Sequence, residues 1–597
     1  MSGTLKYKAA AAVNRGRPST FYSKDKPNPV FQALEQEIKV YIGYMRKRST
    51  PWLRTDTDEA SSRPADTLFE LWNKYEPRLP ELYYQDKLLE MGDFLVSIKE
   101  YNLALWQCYG RYLKHFGDVN VEEITDVDDF KKTFFPDGFE MQNSGFTFRA
   151  LMGKAICMYQ AIKMTDPKLQ NKESVDRCIQ LLSFLRLVMQ VVLPQEKLCW
   201  LVYNGTIHIY SVSRHLMSLG HSSRVVEYLL WASMCMESSV PLLGIKYLVW
   251  RSTLYTAVCQ CYFDCKAGQH AEAFARRGLA KINELSQLEN ISSSPQSVLR
   301  EVSFRTATIK MAIMVYKRSV FESRRKPKGL LRPKTRANLK DAQGLPWPRT
   351  PSEKLLVDMF EGSAAQFLGI LETLSDSNRR TVQSAPPASD SEVEILDVYA
   401  ELFMAAQEIL SGGGGNTSIQ QNTKSEPSLF EYSGLAGVVD GPRTLMDYAA
   451  AGEDAVPLSA VIKLIKFAYC FEYFDLFDVY VDNILAYLKE VDDPRFGPDI
   501  KILELLLAME RVSTNRRSRK QTLGEDGSAL QDKEAKDKEN RENKEKEQPP
   551  AMSSISDQRT LATRQTFGRV TSRTLTVCGV CISFRYLVDF LLAILGG

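Results

Sequence analysis

"KEYNLALWQCYGRYLKHFG", Lys99 to Gly117, sets Trp106, three tyrosines and Phe116 among the small residues Ala104 and Cys108. Tyr101, Leu105, Cys108, Tyr112 and Phe116 fall on one helical stripe, and Trp106, Tyr109 and Leu113 on a second. A helix on a domain surface needs a single apolar face. Two stripes therefore predict a helix held between neighbours, as in stacked helical hairpins, with Ala104 letting a neighbouring backbone approach.

Stacked hairpins predict recurrence. "KEYNLA" (Lys99 to Ala104) aligns with "GHSSRV" (Gly220 to Val225) and "GQHAEA" (Gly268 to Ala273). Each reads as the inter-helix turn of a tetratricopeptide-type hairpin, followed by a small residue opening the second helix. Ala273 is the small residue expected at that close contact. Seven residues before each turn stand Gly92, Ser213 and Cys261; twelve after the last two stand Ala232 and Ala280. The spacing is too uneven for a strict 34-residue array. The expected fold is all-α: an irregular α-solenoid of tetratricopeptide-like hairpins with disordered segments.

Composition sets the outer bounds. The 597 residues are 44% hydrophobic and 25% charged, and 76 basic against 73 acidic residues leave a net charge of +3. Such a chain buries sizeable cores, and only local charge runs can point to a partner. The eleven cysteines are scattered, mostly within apolar runs, as expected of free thiols in a reducing compartment. No long apolar stretch opens the chain, so a secretory signal is not expected.

The expected organisation follows composition. Residues 1–28 form a flexible basic arm, 30–316 a helical-repeat domain and 317–352 a basic, Pro-containing connector. Residues 353–410 are a helical segment, 411–442 a flexible linker and 443–512 a second helical segment. Residues 513–557 are Lys/Glu/Asn-rich and too poor in large apolar side chains to order; 558–597 are an atypical C-terminal segment. Its "LTVCGVCISFRYLVDFLLAILGG" (Leu575 to Gly597) is apolar but carries Arg585 and Asp589, so no uninterrupted run spans a bilayer.

Catalytic signatures are absent. No phosphate loop, H-E-x-x-H or G-x-S-x-G occurs, so no enzymatic activity and no cofactor are expected. Of the candidates for metal, "CQCYFDCKAGQH" holds Cys259, Cys261, Cys265 and His270, but the spacing fits no standard zinc pattern and core thiols are expected. "CGVC" (Cys578 to Cys581) has redox spacing without a βαβ context.

The sharpest charge feature is "KRSVFESRRKPKGLLRPKTRANLK". Its ten cations are Lys317, Arg318, Arg324, Arg325, Lys326, Lys328, Arg332, Lys334, Arg336 and Lys340, against Glu322 alone. Such a strip suits an acidic partner: tubulin tails, nucleic acid or an anionic membrane. A solvated loop is the plainer alternative. Just upstream, Ile309, Ile313, Tyr316 and Val320 share a helix face beside basic residues, a pattern seen in calmodulin targets and also in an ordinary solenoid helix.

Several stretches resemble the cilia- and flagella-associated protein 54 family. They include "LPQEKLCWLVYNGTIHIY" (Leu193 to Tyr210), "VEYLLWASMCMESSVPLL" (Val226 to Leu243), "YTAVCQCYFDCKAG" (Tyr255 to Gly268) and "EAFARRGLAKI" (Glu272 to Ile282). "VFESRRKPK" (Val320 to Lys328), "LPWPRTPSEKLL" (Leu345 to Leu356) and "LSDSNRR" (Leu374 to Arg380) add to them. The resemblance covers roughly residues 80–510. It implies a non-enzymatic scaffold of the motile cilium and flagellum axoneme, in a projection of the central apparatus, acting in cilium assembly, beating and sperm flagellum formation. The partners it implies are other central-apparatus scaffold proteins and calmodulin, with microtubules a further candidate; it brings no catalytic residues, small-molecule substrate or membrane span. Family members are far longer, so an N-terminal region or short form is expected, with the tail after about Ser513 unlike the family. The competing reading is a cytosolic helical-repeat adaptor whose basic strip binds nucleic acid or an acidic membrane.

Overall fold

The computed structural model describes residues 29–49, 64–117, 124, 126–136, 138–139, 144–291, 298–322, 346–375, 390–412 and 435–512. The fold is all-α, with consecutive helices packed in solenoid-like succession. The arm 1–28, most of the basic strip, residues 413–434, the tail from 513 and Cys578/Cys581 lie outside the described residues.

The first of two compact units takes in the described residues from Pro29 to Leu402, with 443–455. It opens with α1 (Pro29–Ser49), α2 (Pro64–Tyr75) and α3 (Glu81–Ser97). Then come α4 (residues 101–113), α5 (Val127–Phe134), α6 (Ser144–Thr165) and α7 (Lys172–Val192). The hairpins α8 (Cys199–Ser218)/α9 (Ser222–Ser238) and α10 (Leu248–Asp264)/α11 (Gly268–Ile291) follow, and α12 (Val298–Glu322) packs on both α10 and α11. Helices α13 (Pro351–Met359) and α14 (Ser363–Leu374) extend the unit.

The three aligned hexapeptides all mark inter-helix turns, and hydrogen bonding explains why. Helix α3 ends with Glu100 N–H on Leu95 C=O (2.9 Å) and Lys99 N–H on Val96 C=O (3.1 Å). The same pair of bonds recurs as His221 on Leu216 with Gly220 on Met217, and as Ala267 on Tyr262 with Lys266 on Phe263. Each is a Schellman cap, which satisfies orphan carbonyls by placing one residue at positive φ. That residue is Lys99 (φ 68°), Gly220 (φ 86°) or Lys266 (φ 59°). A further copy, unseen in the sequence, closes a helix with Tyr473 on Ala468 and Glu472 (φ 56°) on Tyr469.

Two expectations within the hairpins are corrected. Ala104–Tyr109 is a π-helical turn inside α4. The extra residue rotates the register, so Tyr109 and Leu113 of the second stripe are buried while Trp106 is 72% exposed. On α11 the close-packed small residues are Ala271, Ala275 and Gly278; Ala273 and Ala280 face solvent. The connector is also shorter than expected, because α12 remains helical through Glu322.

The second unit comprises Phe403–Pro442 and residues from Val456 onward. It holds the end of α15 (Asp390–Leu410), α17 (Leu458–Cys470), α18 (Phe474–Val491) and a helix over 497–512. Helix α16 (Leu445–Ala451) belongs to the first unit, so the expected helical segment 443–512 is divided. Two-residue strands β1 (Val438–Val439) and β2 (Val456–Pro457) pair in parallel within the second unit. Phe403 stacks on Tyr473 at 5.0 Å and meets Phe471 edge-on at 5.8 Å, and Phe467 and Phe477 of the same unit are buried.

Candidate interaction groove

The π-turn has a structural use. The Gly110 N–H bonds Leu105 C=O, and a Cβ on Gly110 would sit 2.7 Å from that oxygen, so glycine permits the turn. The turn delivers Tyr109 between α3 and α6, where its ring lies against Gly153; a Cβ there would come within 2.4 Å of the ring. The Tyr109 hydroxyl donates to Asp93 Oδ1 at 2.6 Å. Arg149 donates to Asp93 Oδ2 through Nε (2.8 Å) and Nη2 (2.6 Å), and reaches Asp86 at 3.3 Å. Burial opposes the Arg149 charge, but the Asp93 carboxylate outweighs it and raises the pKa.

This cluster lies at the edge of a cavity of about 780 Å³ among α1, α3, α6 and α8. Helix α1 forms one wall. Its buried face, Leu34, Tyr41 and Met45, faces the fold, where Phe31 stacks on Tyr83 at 4.4 Å and the Tyr41 hydroxyl donates to Pro64 C=O at 3.0 Å. Its Ile38, Lys39, Ile42 and Arg46 line the cavity. The opposite wall is α8, with Trp200, Asn204, His208 and Ser211 at helical spacing. Met91, Phe94 and Ile156 add apolar surface. The helix α1 ends on exposed Arg46, Lys47 and Arg48, which leaves that end of the groove cationic. The groove joins helices far apart in sequence, so no local motif announces it.

The basic strip is redistributed. Lys317 is 2% exposed; its Nζ donates to Gln260 Oε1 at 2.9 Å and sits 5.5 Å from the Phe263 ring centre. Arg318 pairs with Glu272 at 2.7 Å and with Glu322. These two cations are spent on packing and do not belong to an open strip. Burial is invisible in a charge count, which is why the sequence placed them there. Arg324, Arg325, Lys326, Lys328, Arg332, Lys334, Arg336 and Lys340 lie outside the described residues.

The calmodulin-target-like face is likewise occupied: Ile313, Tyr316 and Val320 are buried in the stack. Cys259 and Cys261 are buried, Cys265 is exposed at the end of α10, and His270 stacks on Tyr262 at 5.7 Å. Cys259 Sγ donates to Ala271 C=O at 3.5 Å, and burial pushes its pKa up to about 12. Cys157 and Cys235 are pushed to about 12 for the same reason. A raised pKa leaves little thiolate at neutral pH, so these thiols act as small core residues. Among the described residues, no group of three or more His, Cys, Asp or Glu side chains is placed to hold a metal ion. None of the described helices is long and apolar enough to cross a membrane.

The family model described as cilia- and flagella-associated protein 54 matches residues 57–572. The chain belongs to that family. It is 49% identical over 506 residues to cilia- and flagella-associated protein 54 of Homo sapiens, and 48% identical over 506 residues to that of Mus musculus. Each alignment covers 84% of this chain and 16% of the relative. The Chlamydomonas reinhardtii protein of the same name is 26% identical over 245 residues, 41% of this chain and 8% of its own length. The chain thus spans about a sixth of the length of its mammalian relatives. The family match reaches past Ser513 to residue 572, which corrects the expectation that the tail departs from the family there.

Proposed function

We propose that the chain is a non-enzymatic scaffold of the motile cilium and flagellum axoneme. On this reading it sits in a projection of the central apparatus and serves cilium assembly, beating and sperm flagellum formation. Its partners are other scaffold proteins of that apparatus, with calmodulin and microtubules as further candidates. The observation that carries the reading is the groove walled by α1 and α8: a concave, largely apolar surface with a cationic end. Such a surface suits a peptide segment with apolar anchors and acidic flanks, held by helices that keep their own cores. Family membership supplies the ciliary setting.

The test is retention of the tagged chain in motile ciliated cells. After detergent extraction it should remain with the axoneme and cross-link to central-apparatus proteins through the α1–α8 face. Reversing the cationic end (Lys39→Glu, Arg46→Glu, Arg48→Glu) should release it while the helical circular dichroism is kept. A chain that washes out with the soluble fraction would sink the proposal. Of the strip that the nucleic-acid or membrane adaptor needs, Lys317 and Arg318 are drawn into packing, and the other eight cations lie outside the described residues.

A further inference from the structure

Helix α1 ends in the run Arg46-Lys47-Arg48-Ser49, and all four side chains are exposed. Cations in a last turn are ordinary, because the helix dipole favours them there. The dipole says nothing of the hydroxyl that follows them. Ser49 Oγ donates to Arg46 C=O at 3.0 Å, so it closes the helix on one of its orphan carbonyls while staying open to water.

A serine hydroxyl preceded by three cations is the charge pattern that the acidic cleft of a basophilic protein kinase reads. Such a cleft takes its substrate in extended form, and a helix terminus gives up its last turn at little cost. Ser303, three residues after Arg300, is the poorer candidate: Glu301 lies between them, and α12 continues on both sides of it.

We infer that Ser49 is a phosphorylation site whose phosphate controls the cationic end of the α1–α8 groove. In the transfer, the γ-phosphoryl group of ATP moves to Ser49 Oγ. The bond from Pγ to the β-phosphate oxygen breaks, the Oγ–P bond forms, ADP leaves, and the hydroxyl proton goes to the carboxylate base of the kinase. The product carries a charge of about −1.5 to −2. The dianion has no proton to donate to Arg46 C=O, and it stands at the negative end of the dipole, so the last turn of α1 loosens.

The groove feels this through Arg46. Its guanidinium lies 5.7 Å from the centre of the Phe94 ring, and both residues line the groove with Ile38, Lys39 and Ile42. A phosphate three residues further on shares a helix face with Arg46 and draws its charge away from Phe94. The end of α1 then falls from three positive charges to about one. An acidic-flanked segment loses its counter-charge there, and its hold on the groove weakens. That last step rests on the groove being the docking surface; the modification itself does not.

The first test takes the purified full chain, ATP and the catalytic subunit of cyclic-AMP-dependent protein kinase, which reads cations two and three positions before serine. Peptide mass spectrometry should place phosphate on Ser49, and Ser49→Ala should abolish that signal. Arg46→Ala should slow incorporation by roughly tenfold, the worth of one charge-assisted hydrogen bond. Hydrogen exchange should then quicken in the last turn of α1 and stay unchanged in α3 and α8. For the groove, chain bound to demembranated axonemes should elute at lower salt when phosphorylated, while kinase-treated Ser49→Ala chain elutes with the untreated chain. Phosphate on Thr50 in place of Ser49 would overturn the site, as would incorporation indifferent to Arg46. Elution of both forms at one salt concentration would overturn the control of the groove. An untreated chain that fails to bind would sink the docking reading and the control with it, while phosphate mapped to Ser49 would still uphold the site.

Discussion

Helix α11 is two helices in character. Its first half buries Ala271, Ala275, Gly278 and Ile282 against α10 and α12; its last nine residues bury nothing. Helix propensity does not separate the halves, since both are rich in good helix formers. Packing separates them. At Gly278 a Cβ would lie 2.9 Å from Met311 Sδ and 3.2 Å from the Tyr255 ring, whereas Leu288 and Ile291 stand in the open. The base therefore holds the stack together.

The comparison breaks most sharply at Ala271. Ala271→Arg puts a long cation into a fully buried site and should cost about 3 kcal/mol or more, read as a lowered urea midpoint. An unchanged midpoint would mean that the base is not packed as described.

A smaller effect, of opposite sign, is expected at Lys310 of α12. Its amine donates to Thr253 of α10 at 2.9 Å, and burial lowers its pKa from 10.5 to about 8. The folded chain then binds fewer protons than the unfolded one, so its stability rises as pH climbs from about 8 to about 10.5. Lys310→Met should stabilise by roughly 1–3 kcal/mol below pH 8, and the gain should fade as pH rises through that window. Thermal melts of both forms across pH 7 to about 10.5 decide it; a gain independent of pH would point to packing rather than charge.

Lys266 sharpens the role of the caps. An L-residue at φ 59° is strained by roughly 1 kcal/mol, which glycine avoids. Lys266→Gly should raise stability by several tenths of a kcal/mol, while Gly220→Ala, at φ 86°, should lower it by about 1 kcal/mol. Equal melting temperatures for the two variants would contradict the Schellman assignment.

The smallest effect belongs to Ala273, two residues from Ala271 but solvent-facing. Ala273→Arg should change stability by less than about 0.5 kcal/mol. A loss comparable to that at Ala271 would rotate α11 and undo the contrast between its halves.

These positions also show what the sequence could convey. The turns at Lys99, Gly220 and Lys266 were legible because small residues and a period of helical stripes surround them. The turn at Glu472 was missed because "YCFEYFD" offers neither glycine nor alanine as a cue. The alignment points to Ala273 where Ala271 makes the contact, since both are alanine and only the angle at which α11 leaves its cap tells them apart. Trp106 falls on the buried face only if an ideal helix runs through Ala104–Tyr109, and the π-turn there turns it out to solvent. Lys317 and Arg318 looked solvated because a cation's burial depends on Gln260, Phe263 and Glu272, which lie more than 40 residues away in sequence. The groove is illegible for the same reason: its walls, α1 and α8, are separated by six other helices.

A π-turn is an α-helix carrying one residue too many, and this makes α4 a register device. Residues before Ala104 and after Tyr109 are each set in α geometry, but their phases differ by the insertion. Straightening the turn into a continuous α-helix with every residue kept would rotate everything downstream by about 100° relative to Tyr101. Tyr112 would then swing away from its hydrogen bond to Thr147, now 2.9 Å long, and Leu113 would leave the core. Gly110→Ala, which sets a Cβ 2.7 Å from the Leu105 carbonyl oxygen and so opposes the π-turn, should thus be far more damaging than substitutions at exposed Trp106.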